Sequence, residues 1–357
     1  MKDIFELAKS GEKTPAELGY YFPAEFAKHT STWLSWPHKE GSWPGKLTTI
    51  FAPYSEFIKY VALGEIVNIN VADETMKAFA LSHLQKAGVN LANIRFHFFP
   101  TNDAWCRDHG PAFLINPEAE VKKVLVKWNY NAWGEKYPPH DLDNEIPIQI
   151  AQELGIPYFK PGVIMEGGAV EFNGKGTLLT SEACLLNENR NPHLNRDQIE
   201  RYLQDFYGVT QILWVGDGIV GDDTDGHIDD ITRFVNEDTV VTAVEENRAD
   251  DNYELLQENL KRLNKMKLVN GKQLNVVELP MPAPVIWEDQ RLPASYANFY
   301  ISNHSVVVPV FNDKNDQKAL GILSDCFPNR KVVGIDSTDI IWGLGSFHCL
   351  SQQEPAV

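Results

Sequence analysis

Three carboxylates recur at almost the same distance upstream of a turn asparagine. Asp108 lies eight residues before Asn116, Glu166 seven before Asn173, and Asp229 seven before Asn236 (116−108, 173−166, 236−229). His227 precedes Asp229 by two residues, and Cys349 follows the paired glycines Gly343 and Gly345. A thiol, an imidazole and three carboxylates without metal-ligand spacing restrict the chemistry. A thiolate seeks an electrophilic carbon, and the carboxylates seek a cation. A guanidinium is both, and its N–H forks match carboxylate geometry. Two carboxylates on opposite edges would set the angle of attack on its central carbon. The histidine would give a proton to the departing ammonia, and water activated by the same histidine would hydrolyse the resulting thiouronium. The third carboxylate would orient the histidine.

Other readings of these residues are weaker. Asp222-Asp-Thr-Asp-Gly-His-Ile-Asp-Asp230 holds five carboxylates and one histidine, but counting back from Gly226 puts Gly221 at the first ligand position of an EF-hand loop. HExxH spacing is absent, so a shared non-metal site is favoured and no metal is assigned. A strand over residues 228 to 235 would put His227 and Asp229 on one face. Gly216-Asp-Gly-Ile-Val-Gly221 matches GxGxxG but runs into the acidic cluster instead of a helix, so these read as turn glycines. Glycines before Cys349 allow close backbone approach to a ligand. Cys184 and Cys326 read as core packing, and Cys106, two residues from Asp108, stays ambiguous. Trp105, Trp128, Trp133, Trp214 and Trp342 lie near these segments and could hold a cation through their ring faces.

The elements that must position these groups repeat. Phe-Leu-Ile-Asn116, Val-Glu-Phe-Asn173, Arg-Phe-Val-Asn236 and Phe-Tyr-Ile-Ser-Asn303 each end a β-rich run, and an apolar strand follows. The intervals are 57, 63 and 67 residues (173−116, 236−173, 303−236). In 357 residues that period gives five or six units around a common centre. Helices are expected from Asp73 to Gly88, through Leu256, Leu260 and Leu263, and through Leu320, Leu323 and Phe327. Strands are expected at 33–36, 66–71, 94–99, 124–128, 212–215, 240–244, 276–279, 306–310 and 332–335. The unit is therefore ββαβ. Residues 137–147 read as a loop.

Composition bounds the setting. A net charge of −17 repels nucleic acid and anionic membrane and attracts cationic ligands. No apolar run is long enough to span a membrane, and the N-terminal sequence lacks a secretory signal pattern. Four cysteines without a CxxC pair do not make a disulfide scaffold, and a cytoplasmic protein is expected.

Six ordered motifs carry a resemblance. They are Asn102-Asp-Ala-Trp-Cys-Arg-Asp-His-Gly-Pro111, Asn131-Ala-Trp-Gly134, Glu166-Gly-Gly168, Leu185-Leu-Asn-Glu-Asn-Arg-Asn-Pro192, Thr224-Asp-Gly-His-Ile-Asp-Asp230, and His348-Cys349 followed by Gln352-Gln-Glu-Pro355. From about Gly19 to Pro355 the chain resembles the agmatine deiminase branch of the guanidine-modifying superfamily, which includes bacterial peptidylarginine deiminases.

The resemblance implies a five-bladed α/β propeller (the pentein fold) of ββαβ repeats around a pseudo-fivefold axis, as one catalytic domain over residues 1–357 with residues 1–18 as an N-terminal extension. It implies Cys349 as nucleophile, His227 as general acid/base, Asp108 and Asp229 as the guanidinium clamp, and Glu166 paired with a guanidinium nitrogen or with His227. It implies Trp105 and Trp133 beside the substrate's aliphatic chain, Asp223 near its distal amine, and Gly343 and Gly345 in the substrate-binding segment. No cofactor is implied. The implied substrate is agmatine, with deimination of peptidyl-arginine or free arginine, or an amidinotransferase, as alternatives, and the implied setting is polyamine (putrescine) biosynthesis. A homodimer is compatible with the resemblance, and the sequence does not give the oligomeric state.

Two departures bear on specificity. The family's Gly-Gly-Gly-Asn-x-His-Cys is here Gly343-Leu-Gly-Ser-Phe-His-Cys349. Relatives acting on C-terminal peptidyl-arginine carry an arginine pair where this chain has Ala132 and Trp133, with Lys136 nearby. Without that pair a substrate carboxylate loses a charge-assisted partner worth roughly 1.5–3 kcal/mol.

Overall fold

The computed structural model describes residues 13–357 and the backbone of Glu6–Ala8. Much of the expected extension, residues 1–18, lies outside the described residues; within it, Glu6–Ala8 runs parallel to Tyr158–Phe159.

Five mixed sheets follow one plan. In each, a first strand pairs antiparallel with a second, and a crossover helix leads to a third strand parallel to the second. The first blade uses Ala112–Ile115, Lys123–Val126 and Tyr158–Phe159, with helix Asp141–Leu154. The second uses Val170–Phe172, Thr177–Ser181 and Gln211–Val215, with helix Arg196–Tyr207. The third uses Thr232–Phe234, Thr239–Val244 and Asn275–Pro280, with helix Asn252–Leu263. The fourth uses Tyr300–Ile301, Ser305–Val310 and Lys331–Asp336, with helix Asp316–Cys326. The fifth joins distant parts of the sequence: Ser351–Pro355 pairs antiparallel with His29–Ser35, which runs parallel to Ile66–Asn70 after helix Leu47–Val61. Helix Glu74–Ala87 then adds a fourth strand, Ile94–His97. This is a five-bladed α/β propeller.

The turn asparagines explain the visible repeat. Asn116, Asn173 and Asn236 each accept the N–H two residues on, from Glu118, Lys175 and Asp238, at 2.8–3.0 Å. Such Asx-turns close a hairpin with local chemistry. Asn303 instead exchanges hydrogen bonds with the backbone of His29, tying the fourth blade to the fifth. The fifth hairpin has no turn of its own, so its repeat is invisible in a linear reading.

All nine expected strands overlap observed ones. The helix after Asp73 forms as expected: the Asp73 side chain accepts from Met76 N, and Gly88 closes the helix at φ 71°. Three crossover helices went unread. One corrects the expected loop at 137–147, because a helix starts at Asp141 and contains Pro147. Tertiary bonds outweigh the proline's local penalty there: Asp143 accepts from the backbone of Asn102 and Asp103. Residues 228–235 are also not one strand; Ile228–Asp230 is a 3₁₀ turn and the strand is Thr232–Phe234. Among the described residues no helix is long and apolar enough to cross a membrane.

A buried ionic network ties the first strands together on the axis. Glu25 accepts from Arg107 at 3.1 Å, Arg233 at 3.0 Å and Ile301 N at 2.8 Å, and contacts His348 Nε2 at 2.7 Å. Arg233 also donates to Glu171 at 2.9 Å. Burial alone would raise the Glu25 carboxyl, but Arg233, His348 and Arg107 hold it well below the usual range. Glu25→Gln removes the shared counter-charge of two buried guanidiniums. A loss of about 3–5 kcal/mol in chemical denaturation is expected; a loss under about 1 kcal/mol would contradict this role.

Candidate active site

The segment leading into the first strand of each blade turns a polar side chain toward the axis. Asp108, Glu166, Asp229 and Cys349 come from the first, second, third and fifth blades, and the fourth supplies Asn298. All five expected catalytic residues meet here. His227 Nδ1 is 3.8 Å from Asp108 and 4.0 Å from Asp229, and its Nε2 is 3.9 Å from Glu166. Cys349 Sγ is 3.4 Å from Asp229 Oδ2. His227 and Asp229 converge through the 3₁₀ turn, in place of the strand alternation expected.

Several of these groups lack partners. Both His227 nitrogens, Glu166 Oε2 and Asp229 Oδ1 are buried without a hydrogen bond. Buried polar atoms are normally satisfied, so the two orphaned carboxylate oxygens fit a ligand rich in N–H donors, and the His227 ring stands beside them free to exchange a proton with it. Glycine makes the convergence sterically feasible: a Cβ on Gly168 would come within 2.5 Å of His227 Nδ1. Gly168 N also donates to Asp108 Oδ1 at 3.0 Å.

Surrounding groups hold the acids in place. Arg190 donates to Glu166 at 2.6 Å and to Asp225 at 2.7 Å. Burial would raise the Glu166 carboxyl, but Arg190 and His227 outweigh it and lower it. His348 lies between Asp229 Oδ2 at 2.6 Å and Glu25 at 2.7 Å, one ring nitrogen facing each carboxyl group. Burial pushes Asp108 up to about 6, with Asp229 and Glu166 adding to the rise. Burial pulls His227 down, but Asp108, Cys184 and Glu166 hold it well above its ordinary value. The Cys349 thiol is pushed well above 9, first by burial and then by Asp229, Asp230 and Asp108.

The acidic segment divides its labour. Asp222 accepts the N–H groups of Thr224, Gly226 and His227 and so shapes the loop. Asp225 pairs with Lys136 and Arg190. Asp230 accepts from Asn298. Asp223 faces a cavity of about 220 Å³ that reaches Cys349 and Asp108 and is lined by Trp105, Trp133 and Trp342.

Two donor sets could hold a cation. Glu166, Cys184 and His227 form one, and Asp229, Asp230 and Cys349 the other, each with donor atoms within 4.8 Å. An ion in either would occupy His227 or Cys349.

The remaining expected residues fall as follows. Trp133 sits in a left-handed turn over residues 132–135, with φ from 47° to 88°, a geometry costing about 1–2 kcal/mol per non-glycine residue. Its Nε1 donates to Asp108 Oδ2 at 3.0 Å, so the strained turn serves the acid as well as the cavity wall. Gly343 and Gly345 line the cavity, but the close approach they permit is to protein. A Cβ at Gly345 would meet Trp105 at 2.8 Å and Cys349 Sγ at 3.2 Å. Trp128 and Trp214 lie instead in a separate hydrophobic cluster with Phe159 and Tyr207. Cys184 is core, as expected, yet its thiol also borders His227. Cys106 is buried and pushed up to about 12 by burial. Sequence reasoning missed Glu25, Asn298 and the role of Arg190. Asn298 falls outside the repeated offset because it lies only five residues before Asn303 (303−298).

Residues 21–355 match the family described as Porphyromonas-type peptidyl-arginine deiminase. An agmatine deiminase of Ectopseudomonas mendocina is 34% identical, over 96% of this chain and 97% of that protein. The solved agmatine deiminase of Enterococcus faecalis has a TM-score of 0.90 at 31% identity, covering 97% of this chain and 99% of that one. A solved C. jejuni agmatine deiminase, a cysteine-to-serine form with substrate bound, has a TM-score of 0.85 at 34% identity, covering 94% of this chain and 96% of that one.

The elevated Asp108 sets an acid limb. Gripping a cation requires its ionised form, which is lost as pH falls through about 6. For a guanidinium substrate, kcat/KM is expected to decline roughly tenfold per unit below that pH. A profile flat down to pH 5 would contradict the assignment.

Proposed function

The chain belongs to the Porphyromonas-type peptidyl-arginine deiminase family, and from that premise we propose that it hydrolyses agmatine to N-carbamoylputrescine and ammonia. The observation that carries this choice of substrate is the charge of the cavity. Among its lining residues are Asp103, Asp108 and Asp223, and neither Lys nor Arg. Lys136, the candidate partner for a substrate carboxylate, is engaged by the Asp223 carbonyl and the Asp225 carboxylate. The Asp223 carboxylate accepts from the Tyr137 hydroxyl and can take a second donor. A distal ammonium finds an acceptor there, whereas a carboxylate would find repulsion. The activity of similar agmatine deiminases supports the same reading.

In the proposed mechanism Asp108 and Asp229 grip the guanidinium, with Glu166 Oε2 as a further acceptor. Trp105 and Trp133 flank the methylene chain. The free thiol is protonated because burial and three nearby carboxylates oppose a thiolate. The bound cation supplies the missing positive charge, so the thiol ionises as substrate arrives, its proton leaving to solvent through the cavity. Cys349 Sγ forms a bond to the central carbon, His227 protonates the leaving nitrogen, and the C–N bond breaks to release ammonia. Water then adds to the thiouronium as His227 takes one of its protons; the C–S bond breaks, and the remaining hydroxyl proton passes to the sulfur, leaving the carbonyl product and the thiol of the free enzyme.

We extend the proposal to residues 1–357 acting as one catalytic unit in the cytoplasm, in polyamine (putrescine) biosynthesis, as a homodimer, with neither nucleic acid nor membrane as partner. The charge of −17 favours cationic small molecules over polyanions.

Ammonia release should be compared for agmatine, free arginine and a peptide ending in arginine, each with and without EDTA. Agmatine is expected to be turned over at least tenfold faster than either alternative, undiminished by EDTA, and Cys349→Ser should abolish release. Fast peptide turnover with idle agmatine would overturn the substrate, and metal-restorable loss on chelation would overturn the mechanism. Asp108→Asn is expected to lower kcat/KM by about 10²–10³-fold, because it removes half of the charge of the clamp. Wild-type constants in that variant would contradict its role.

A further inference from the structure

We propose that Asn298 is a catalytic residue whose side-chain amide stabilises the Cys349 thiolate. This rests on Cys349 being the nucleophile. Asn298 lies two residues before the first strand of the fourth blade, in the position from which the other four blades supply Asp108, Glu166, Asp229 and Cys349. A carboxylate from that blade would add negative charge beside the thiol. The chain places a neutral donor there.

Hydrogen bonding fixes which end of the amide faces the sulfur. Asn298 Oδ1 accepts from Ser346 N at 3.1 Å and from Cys349 N at 3.3 Å. Both are backbone donors, so the oxygen must face them. Nδ2 is left with two hydrogens and two acceptors, Asp230 Oδ1 at 2.9 Å and Cys349 Sγ at 2.9 Å. Asp230 holds one N–H and thereby aims the other at the sulfur. The Asn298 carbonyl accepts from His348 N at 3.2 Å, locking the same segment to the nucleophile's loop from its backbone. Ser346, in the nucleophile's own loop, has its hydroxyl engaged with Ser337. Asn298 is therefore the side-chain amide that reaches the thiol. Around it stand Asp108, Asp229 and Asp230, with His227 and His348 nearby, and of these groups the carboxylates destabilise a thiolate while the Asn298 amide opposes them.

Asn298→Asp separates this role from simple scaffolding. The variant is isosteric and keeps an oxygen for the two backbone N–H groups, but it loses the donor. Alkylation of Cys349 by iodoacetamide, followed by mass across a pH series without substrate, reads the thiolate directly. Asn298→Asp and Asn298→Ala are both expected to shift the midpoint upward by at least one unit and slow alkylation at pH 8 about tenfold. In parallel, kcat should fall more than KM rises. Unchanged profiles in two folded variants, judged by unchanged thermal midpoints, would overturn the proposal. Should one variant fail to fold, the other decides. Because the assay needs no substrate, its failure is distinct from an error in the nucleophile itself, which active Cys349→Ser would reveal.

Discussion

Burying several carboxylates beside a thiol is the constraint on which the rest of the site depends. Asp108, Glu166, Asp229 and Asp230 are all sequestered from water at the propeller centre. Uncompensated buried charge is costly, so each acid either shifts toward its neutral form or acquires a partner. Arg190 neutralises Glu166, and His348 contacts Asp229. Asp108 is left with two neutral donors, the Trp133 indole and the Gly168 amide. In the proposed mechanism the remaining negative charge supplies the affinity for a cation, and the same charge keeps the thiol protonated until that cation arrives. On that proposal, selectivity for a guanidinium and control of the nucleophile are one electrostatic property.

The propeller makes that concentration of charge mechanically sustainable. Each blade delivers at least one polar side chain from a short segment anchored to a strand, so no loop must carry the site alone. Beneath it, Glu25 gathers Arg107, Arg233 and His348 into a buried layer that supports Asp229 from behind. Closure of the fifth blade by Ser351–Pro355 and His29–Ser35 seats Cys349 immediately before the closing strand. Integrity of the ring and placement of the Cys349 thiol, the proposed nucleophile, are therefore coupled.

Much of this was legible in the chain. Asx-turn asparagines mark three hairpins because their chemistry is local, and the carboxylates precede those turns at a nearly constant offset because they enter equivalent strands. The fifth blade was hidden because its hairpin joins the two ends of the fold. Asn298 was hidden because its strand has only two residues, which shortens the offset. The helix containing Pro147 read as a loop because tertiary bonds to Asp143 outweigh the local proline signal. Glu25 carries no motif; only the folded chain brings it against two arginines that are distant in sequence. The left-handed turn at residues 132–135 was equally invisible, since Ala132 and Trp133 do not ordinarily favour positive φ.

The central claim is that a cation completes the buried charge and then becomes covalently attached to Cys349. Acid quenching during agmatine turnover, followed by intact-mass and peptide analysis, tests it most directly. The account predicts a transient adduct on Cys349 with the mass of agmatine less one ammonia. Steady turnover with no trappable adduct, even under single-turnover conditions, or an adduct on Cys106 or Cys184, would contradict it.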